Sequence, residues 1–274
     1  MEPLPTLPRE LVTAYLARLG ATSAPPATAA GLAQLHAAHL RRIPFENLDI
    51  HLGVPIVLGA VASARKITEE GRGGFCYELN GAFGALLRTL GFAVELREAR
   101  VLTPAGDAGT PFGHVCLVVR TDDGPLLADV GFGRSHDAPL RLVAGLQQPD
   151  AAGSFELRAA AGGALELVQD GVPQNRILPA ARELADFAGG CEFHQTSPES
   201  MFTRGPVATI RTAAGRATLA GLHLIETSDE GREERDLEPG ELGDALAEHF
   251  GIVLSDARVE RLVRASARPA DAHA

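Results

Sequence analysis

KITEEGRGGFCYELNGAFGALLRTLGF, residues 66–92, is the stretch from which the rest of the fold is read. Its glycine-rich start, Gly71-Arg72-Gly73-Gly74, is expensive to order, because glycine gives up more backbone freedom on folding than any other residue. Such a cost makes sense where the chain must turn tightly or approach something closely. From residue 76 to residue 90 the apolar positions recur at helical spacing, and Gly91 stands where a left-handed helix cap belongs. The stretch therefore predicts a glycine turn that delivers Cys76 to the start of an apolar helix.

Working upstream, helical spacing returns over residues 11–19, 28–40 and 61–69, with Gly20 and Ala24-Pro25-Pro26 breaking the first two into a hairpin. Downstream the pattern changes to short β-type runs at 92–102, 114–120, 126–130, 155–160 and 165–169. Asp122-Asp123-Gly124 and Ala161-Gly162-Gly163 read as hairpin turns between them. Closely spaced strands joined by turns imply an antiparallel sheet or a small barrel. Three further strand-like pieces at 207–211, 217–219 and 223–226 precede two helices at 240–250 and 256–265, and the tail beyond Arg268 is expected to fray. No repeat or long linker divides the chain.

Composition narrows the function. In 274 residues, 25 Lys and Arg face 35 Asp and Glu, a net charge of −10. That balance disfavours nucleic acid or an anionic membrane surface as the main partner. The apolar runs fall well short of the roughly 20 residues of a membrane span. The opening MEPLPTLPRE shows no secretory pattern, so the chain is expected to be cytoplasmic. Three cysteines without a CxxC pair speak against a disulfide framework and against a metal site.

Cys76 is the most informative of the three. At a helix start, unpaired backbone N–H groups and the helix dipole favour a thiolate. A cysteine nucleophile needs a base and the base an orienting group. His114 opens the run HVCLVV and Asp129 closes LLAD, a separation that suits two neighbouring strands of a hairpin turning at Asp123-Gly124. The imidazole would then lie beside the carboxylate. Cys116, two residues from His114 and on the same strand face, is the rival nucleophile, but its setting in VCLVV suits a core thiol. His36, His39, His51, His136, His223, His249 and His273 read as structural or surface residues. Cys191 and His194 read as loop residues too few to bind zinc.

These residues sit in segments that match a known family over nearly the whole chain: YLARLG (15–20), LHAAHLRRIPFENLDIHLG (35–53), KITEEGRGGFCYELNGAF (66–83), HVCLVV (114–119), DVGFG (129–133), FHQTSPESMF (193–202) and FGIVL (250–254) among them. The sequence resembles the arylamine N-acetyltransferases. The resemblance implies an α+β fold: a helical bundle over 1–90 carrying the cysteine, a central antiparallel β-barrel over 91–195 carrying His and Asp, and an α/β lid over 196–274, with a core like that of cysteine proteases. It places the catalytic roles on Cys76, His114 and Asp129. It implies an ion pair between Arg72 and Glu46 bracing the cysteine loop, an acceptor pocket walled by Phe45, Val101, Phe132 and Phe202, and cofactor contacts at Thr110, Gly131 and Gly133.

The implied activity is ping-pong transfer of acetyl from acetyl-CoA, as co-substrate, to a small aromatic amine, hydrazine or hydrazide, without a metal, in xenobiotic metabolism. An amide synthase acting on a carrier-bound polyketide thioester would use the same three residues and stands as the alternative. A papain-like or transglutaminase-like hydrolase shares the order Cys, His, Asp, and a non-enzymatic binding protein could keep the scaffold. The preserved trio argues against the last.

Overall fold

Tyr15, Leu32, Leu35, Phe75, Phe83 and Leu86 are all fully buried in one apolar cluster, and the helices that carry them are thereby tied together. The structure is a computed structural model describing residues 4–103, 106, 109–134, 136–228 and 230–266; the tail expected to fray lies outside the described residues. The first third forms α1 (Arg9–Arg18), α2 (Ala29–Arg42), the short strand β1 (Phe45–Glu46), α3 (Leu48–Leu52), α4 (Ala60–Glu69) and α5 (Cys76–Thr89). Thr28 caps α2 by accepting the Gly31 N–H at 3.2 Å. Every residue of α5 from Cys76 to Leu87 is buried, the pattern of a helix enclosed on all sides rather than one lying on a surface. Phe75, at its N-cap, has no side-chain acceptor. Glu78 supplies what is missing by taking the Phe75 N–H at 3.1 Å.

Eight antiparallel strands follow: β2 (Ala93–Val101), β3 (His114–Thr121), β4 (Gly124–Ala128), β5 (Leu140–Arg141), β6 (Gln147–Asp150), β7 (Gly153–Ala159), β8 (Leu165–Gln169) and β9 (Val172–Arg182). Their order is β5-β4-β3-β2-β9-β8-β7-β6. The outer two strands meet through one side chain, since Gln148 on β6 accepts the Arg141 N–H at 2.7 Å and donates to the Arg141 carbonyl at 3.1 Å on β5. This nearly closes a barrel. Strand alternation divides β3 between two cores: Val115, Leu117 and Val119 face the α5 cluster, while Cys116 joins Ala99, Leu127 and Phe155 in the barrel.

Beyond the barrel come α6 (Ala188–Thr196), β10 (Val207–Arg211), β11 (Gly215–Ala220), β12 (His223–Ser228), β13 (Gly231–Asp236), α7 (Leu242–Phe250) and α8 (Asp256–Ser266). The last four strands form a sheet whose other edge is β1, contributed from the helical third: Phe45 pairs with Thr209 and Glu46 with Ala208. Asn47 secures this junction, donating to the carbonyls of Phe202 at 2.8 Å and Gly205 at 3.0 Å and accepting the Val207 N–H at 2.6 Å. On its other side the same segment reaches the cysteine loop, with the Glu46 N–H donating to the Gly74 carbonyl at 2.9 Å.

Several elements were not expected from the sequence. β9 contains Pro173 and Pro179, which break a simple alternation; its pairings with β8 and β2 are irregular beside those prolines, where a residue without an N–H is tolerated. β13 is Gly-Arg-Glu-Glu-Arg-Asp and wholly exposed, a charged edge strand with no apolar signal. The segment of Cys191 and His194 is helical in α6 rather than a loop, despite Gly189 and Gly190.

A buried ion network holds the loop before α5. Arg72 donates to Glu46 at 3.0 Å and Asp49 at 3.0 Å, and Lys66 reaches Asp49 at 2.7 Å and Glu78 at 2.8 Å. Three carboxylates share two cations. Burial pushes the Glu78 carboxyl up to about 7 from its ordinary 4.5, against the pull of Lys66 and with Glu46 adding to the rise. Arg72→Met would leave Glu46 and Asp49 buried without their shared partner and should lower the unfolding free energy by about 3–5 kcal/mol in denaturant titration. Folding favours the protonated form of Glu78, so this group's contribution to stability is fully present below its ordinary value and is lost as pH rises through about 7. Glu78→Gln keeps an oxygen for the Phe75 N–H and removes the surplus charge. Its stability should gain on the wild type across that interval, and parallel stability–pH curves would contradict the assignment.

Candidate active site

Asp129 leaves the end of β4 and every part of it is held. Its Oδ2 accepts from His114 Nε2 at 2.7 Å, and its Oδ1 accepts from Asn80 Nδ2 and the Gly131 N–H, both at 2.9 Å. Its own N–H donates to His36 Nε2 at 3.2 Å. Burial by itself raises the Asp129 carboxyl, but His114, by charge and by hydrogen bond, together with Asn80 and Gly131 keeps it below its usual range. The carboxylate at this position is therefore ionised and fixed. The pairing expected between the start of β3 and the end of β4 is present.

Asn80 lies one helical turn after Cys76, on the same face of α5. Besides Asp129 it donates to the Val115 carbonyl at 2.7 Å and accepts the Val130 N–H at 3.0 Å, which sews α5 to β3 and to the segment after β4. Gly131 completes the join by contact. A Cβ there would stand 2.8 Å from Cys76 Cα and 2.7 Å from Asn80 Nδ2, so a side chain has no room. Cys76 itself is 3% exposed. Burial, and after it the nearby Asp129 charge, raises its thiol well above the ordinary value; the N–H groups of Val115 and Tyr77 oppose this without overcoming it. Desolvation thus opposes the thiolate that the helix start favours.

Aromatic rings frame the start of α5. Phe45 and Phe202 lie 5.8 Å apart between centroids, Phe202 is 6.1 Å from Phe75, and Phe132 meets the His114 ring edge-on at 5.1 Å. Three of the four expected pocket walls thus lie around Phe75, the residue before Cys76, or against His114. Val101, at the end of β2, is exposed, on the same sheet face as Ala99, the residue paired with His114. Thr110 is exposed in the turn leading into β3, where its carbonyl accepts the Gly113 N–H at 3.0 Å. That turn is fixed by Phe112, whose φ is +55°. The Phe112 carbonyl accepts the Tyr77 hydroxyl at 2.8 Å, and its N–H donates to Glu98 at 3.1 Å. Gly133 turns with φ +77°, and its carbonyl accepts from Arg216.

Cys116 lies in the barrel core with its thiol raised by burial. Cys191 is pushed up to about 12 by burial and by Glu78. Among residues that the sequence reading left structural, His36 proves to touch the site. Its Nδ1 donates to the Asp137 carbonyl at 3.0 Å, so its Nε2 is the acceptor for Asp129, a neutral ring that burial and His136 push down to about 4. Asn80 could have been found from its spacing to Cys76; nothing local marks His36.

The family model described as N-acetyltransferase matches residues 28–259. The arylamine N-acetyltransferase of Mycolicibacterium smegmatis is 34% identical over 252 residues, covering 88% of this chain and 92% of that protein. The arylamine N-acetyltransferase of Salmonella typhimurium superposes with a TM-score of 0.87 at 28% identity, over 93% of this chain and 98% of its own. That of Mycobacterium marinum, solved in complex with CoA, gives 0.85 at 32% identity over 93% and 99%. With a family model spanning most of the chain and relatives above 30% identity over most of both lengths, the chain belongs to the arylamine N-acetyltransferase family.

Proposed function

We propose that this enzyme transfers acetyl from acetyl-CoA to the nitrogen of a small aromatic amine or hydrazine through a thioester on Cys76. The observation that carries the reading is the His114–Asp129 pair at 2.7 Å, held by Asn80 beside the first turn of the helix that Cys76 begins. The CoA complex of the Mycobacterium marinum relative supports acetyl-CoA as donor, and the relatives' names favour an amine acceptor over a carrier-bound polyketide. Three free thiols suit a reducing cytoplasm.

With Nε2 of His114 committed to Asp129, Nδ1 is the ring nitrogen that serves the thiol. Cys76 gives its proton to that nitrogen as its sulfur attacks the thioester carbonyl, and CoA leaves with a proton returned by the imidazolium. The Cys76 N–H, at a helix start with no intrahelical acceptor, is placed to take the oxyanion. In the second half the amine attacks the acetyl-cysteine, His114 removes its proton, and the amide departs as the sulfur is released. Phe45, Phe132 and Phe202 offer aromatic faces to the acceptor.

Mixing the protein with acetyl-CoA and no acceptor should add one acetyl group, mapped by peptide mass to Cys76 and discharged by an arylamine. Acetyl on Cys116 or Cys191 instead, or none at all, would sink the reading. Asp129→Asn should cut turnover by roughly three to four orders of magnitude, because the imidazole loses its anchor and takes the wrong tautomer. Asn80→Ala removes one of the bonds to Asp129 and should slow acetylation of Cys76 by about tenfold or more; unchanged rates would take Asn80 out of the positioning network.

A further inference from the structure

His194, on the last turn of α6, is half-buried and lies against the lead into β3. Its Nε2 is 3.1 Å from the Gly113 carbonyl oxygen and its Nδ1 3.0 Å from the Ser200 hydroxyl. A carbonyl can only accept, so Nε2 carries the hydrogen and Nδ1 accepts from Ser200. Burial holds the ring below its ordinary value and so neutral, against the pull of the Gly113 bond and with the charge of His114 adding to the fall. Ser200 is itself fully buried. Its one proton has two acceptors in reach, the His194 ring nitrogen at 3.0 Å and the His194 carbonyl at 3.3 Å, of which the ring is the nearer. Its oxygen in turn accepts the Phe202 N–H at 3.2 Å. A chain of hydrogen bonds therefore runs in one direction, from Phe202 to Ser200 to His194 to Gly113, each polarising the next. It ends one residue before His114. Beside it the Phe202 and His194 rings meet edge-on at 5.0 Å.

The end point matters because the ladders of β3 begin at His114. The strand pairs with β2 from His114 and Ala99 onward, and with β4 only from Leu117 and Ala128 onward. The peptide that precedes His114 lies outside both ladders, in a glycine with no side chain to hold it. It is fixed by two bonds: the Gly113 N–H donates to the Thr110 carbonyl at 3.0 Å, and the Gly113 carbonyl accepts from His194. A general base has to be held within about half an ångström of its working position, so the bond from His194 bears on the reaction although His194 lies outside the trio.

We propose that His194 is a positioning residue for His114: it fixes the peptide on which the general base is mounted and, through Ser200, ties that peptide to the aromatic wall at Phe202. The proposal rests on the acetyl-transfer reading above and deepens it on the acceptor side. An aromatic amine that presses on Phe202 then also bears on the base that takes its proton, so acceptor fit and proton transfer are set together. Hydrazine, with no ring, has no face to lay on Phe202.

The two half-reactions are followed separately by intact mass: acetylation of Cys76 by acetyl-CoA without acceptor, and discharge of the acetyl-enzyme by para-butylaniline or by hydrazine. His194→Phe keeps a ring beside Phe202 but removes both hydrogen bonds, and it should slow both half-reactions by about tenfold, because His114 serves both. His194→Gln keeps an N–H for Gly113 and should recover most of that loss. Ser200→Ala cuts the link to Phe202 and should shift the ratio of arylamine to hydrazine discharge by about threefold or more. Wild-type rates in a folded His194→Phe, or a His194→Gln as slow as His194→Phe, overturn the proposal. So does a ratio unmoved by Ser200→Ala, which decides the matter if His194→Phe does not fold. If the wild type itself takes no acetyl on Cys76, the thioester reading falls and this proposal with it, an outcome distinct from unaltered variants of an enzyme that does.

Discussion

The contact between Gly131 and the first turn of α5 is the constraint on which the site depends. Cys76 belongs to a helix packed in the N-terminal core, whereas His114 and Asp129 lie at the ends of barrel strands, and only non-covalent contacts set the one against the other. Backbone approaching backbone without a Cβ between them closes that gap. Asn80 locks it, since one side chain bonds Asp129, Val115 and Val130 together. A displacement of about 1 Å between helix and strand would cost a catalytic arrangement heavily, and this joint is directional, short and dry enough to resist one.

Holding the helix start in place requires buried charge. The loop before Cys76 has few side chains to pack, so its position is set by Arg72, Lys66 and three carboxylates drawn from α3, α5 and the β1 strand. Such clusters are weak sources of net stability. Their geometry, however, admits few alternatives, and here they connect β1, which is also an edge of the β10–β13 sheet, to the cysteine loop. The Phe202 segment is joined to the same place through Asn47. All three regions of the chain therefore meet within a few residues of Cys76.

Much of this was legible in the sequence where a local pattern carried the information. The glycine turn, the apolar spacing of α5, the hairpin of β3 and β4, and the proximity of His114 to Asp129 all follow from short-range spacing. β9 escaped because Pro173 and Pro179 mask its alternation and because its partners come from both sides. β13 escaped because an exposed edge has no apolar face to show. His36 supports Asp129 across a long stretch of chain with no local mark. The setting of Cys76 was only half legible: the helix dipole is readable from position, but the desolvation that opposes it is a property of the packed structure.

That desolvation has a chemical sense. A thiolate exposed at a helix start would be open to oxidants and stray electrophiles, while a buried thiol with a raised pKa stays protonated until a base beside it takes the proton. In the proposed mechanism, ionisation of Cys76 is coupled to His114, and the imidazolium so formed is met by the fixed charge of Asp129. On the same reading, the half-buried rings of Phe45 and Phe202 and the buried ring of Phe132 limit the access of water to the acetyl-cysteine. Burial then both raises the resting pKa of the thiol and, in the proposed mechanism, shelters the acyl group during transfer.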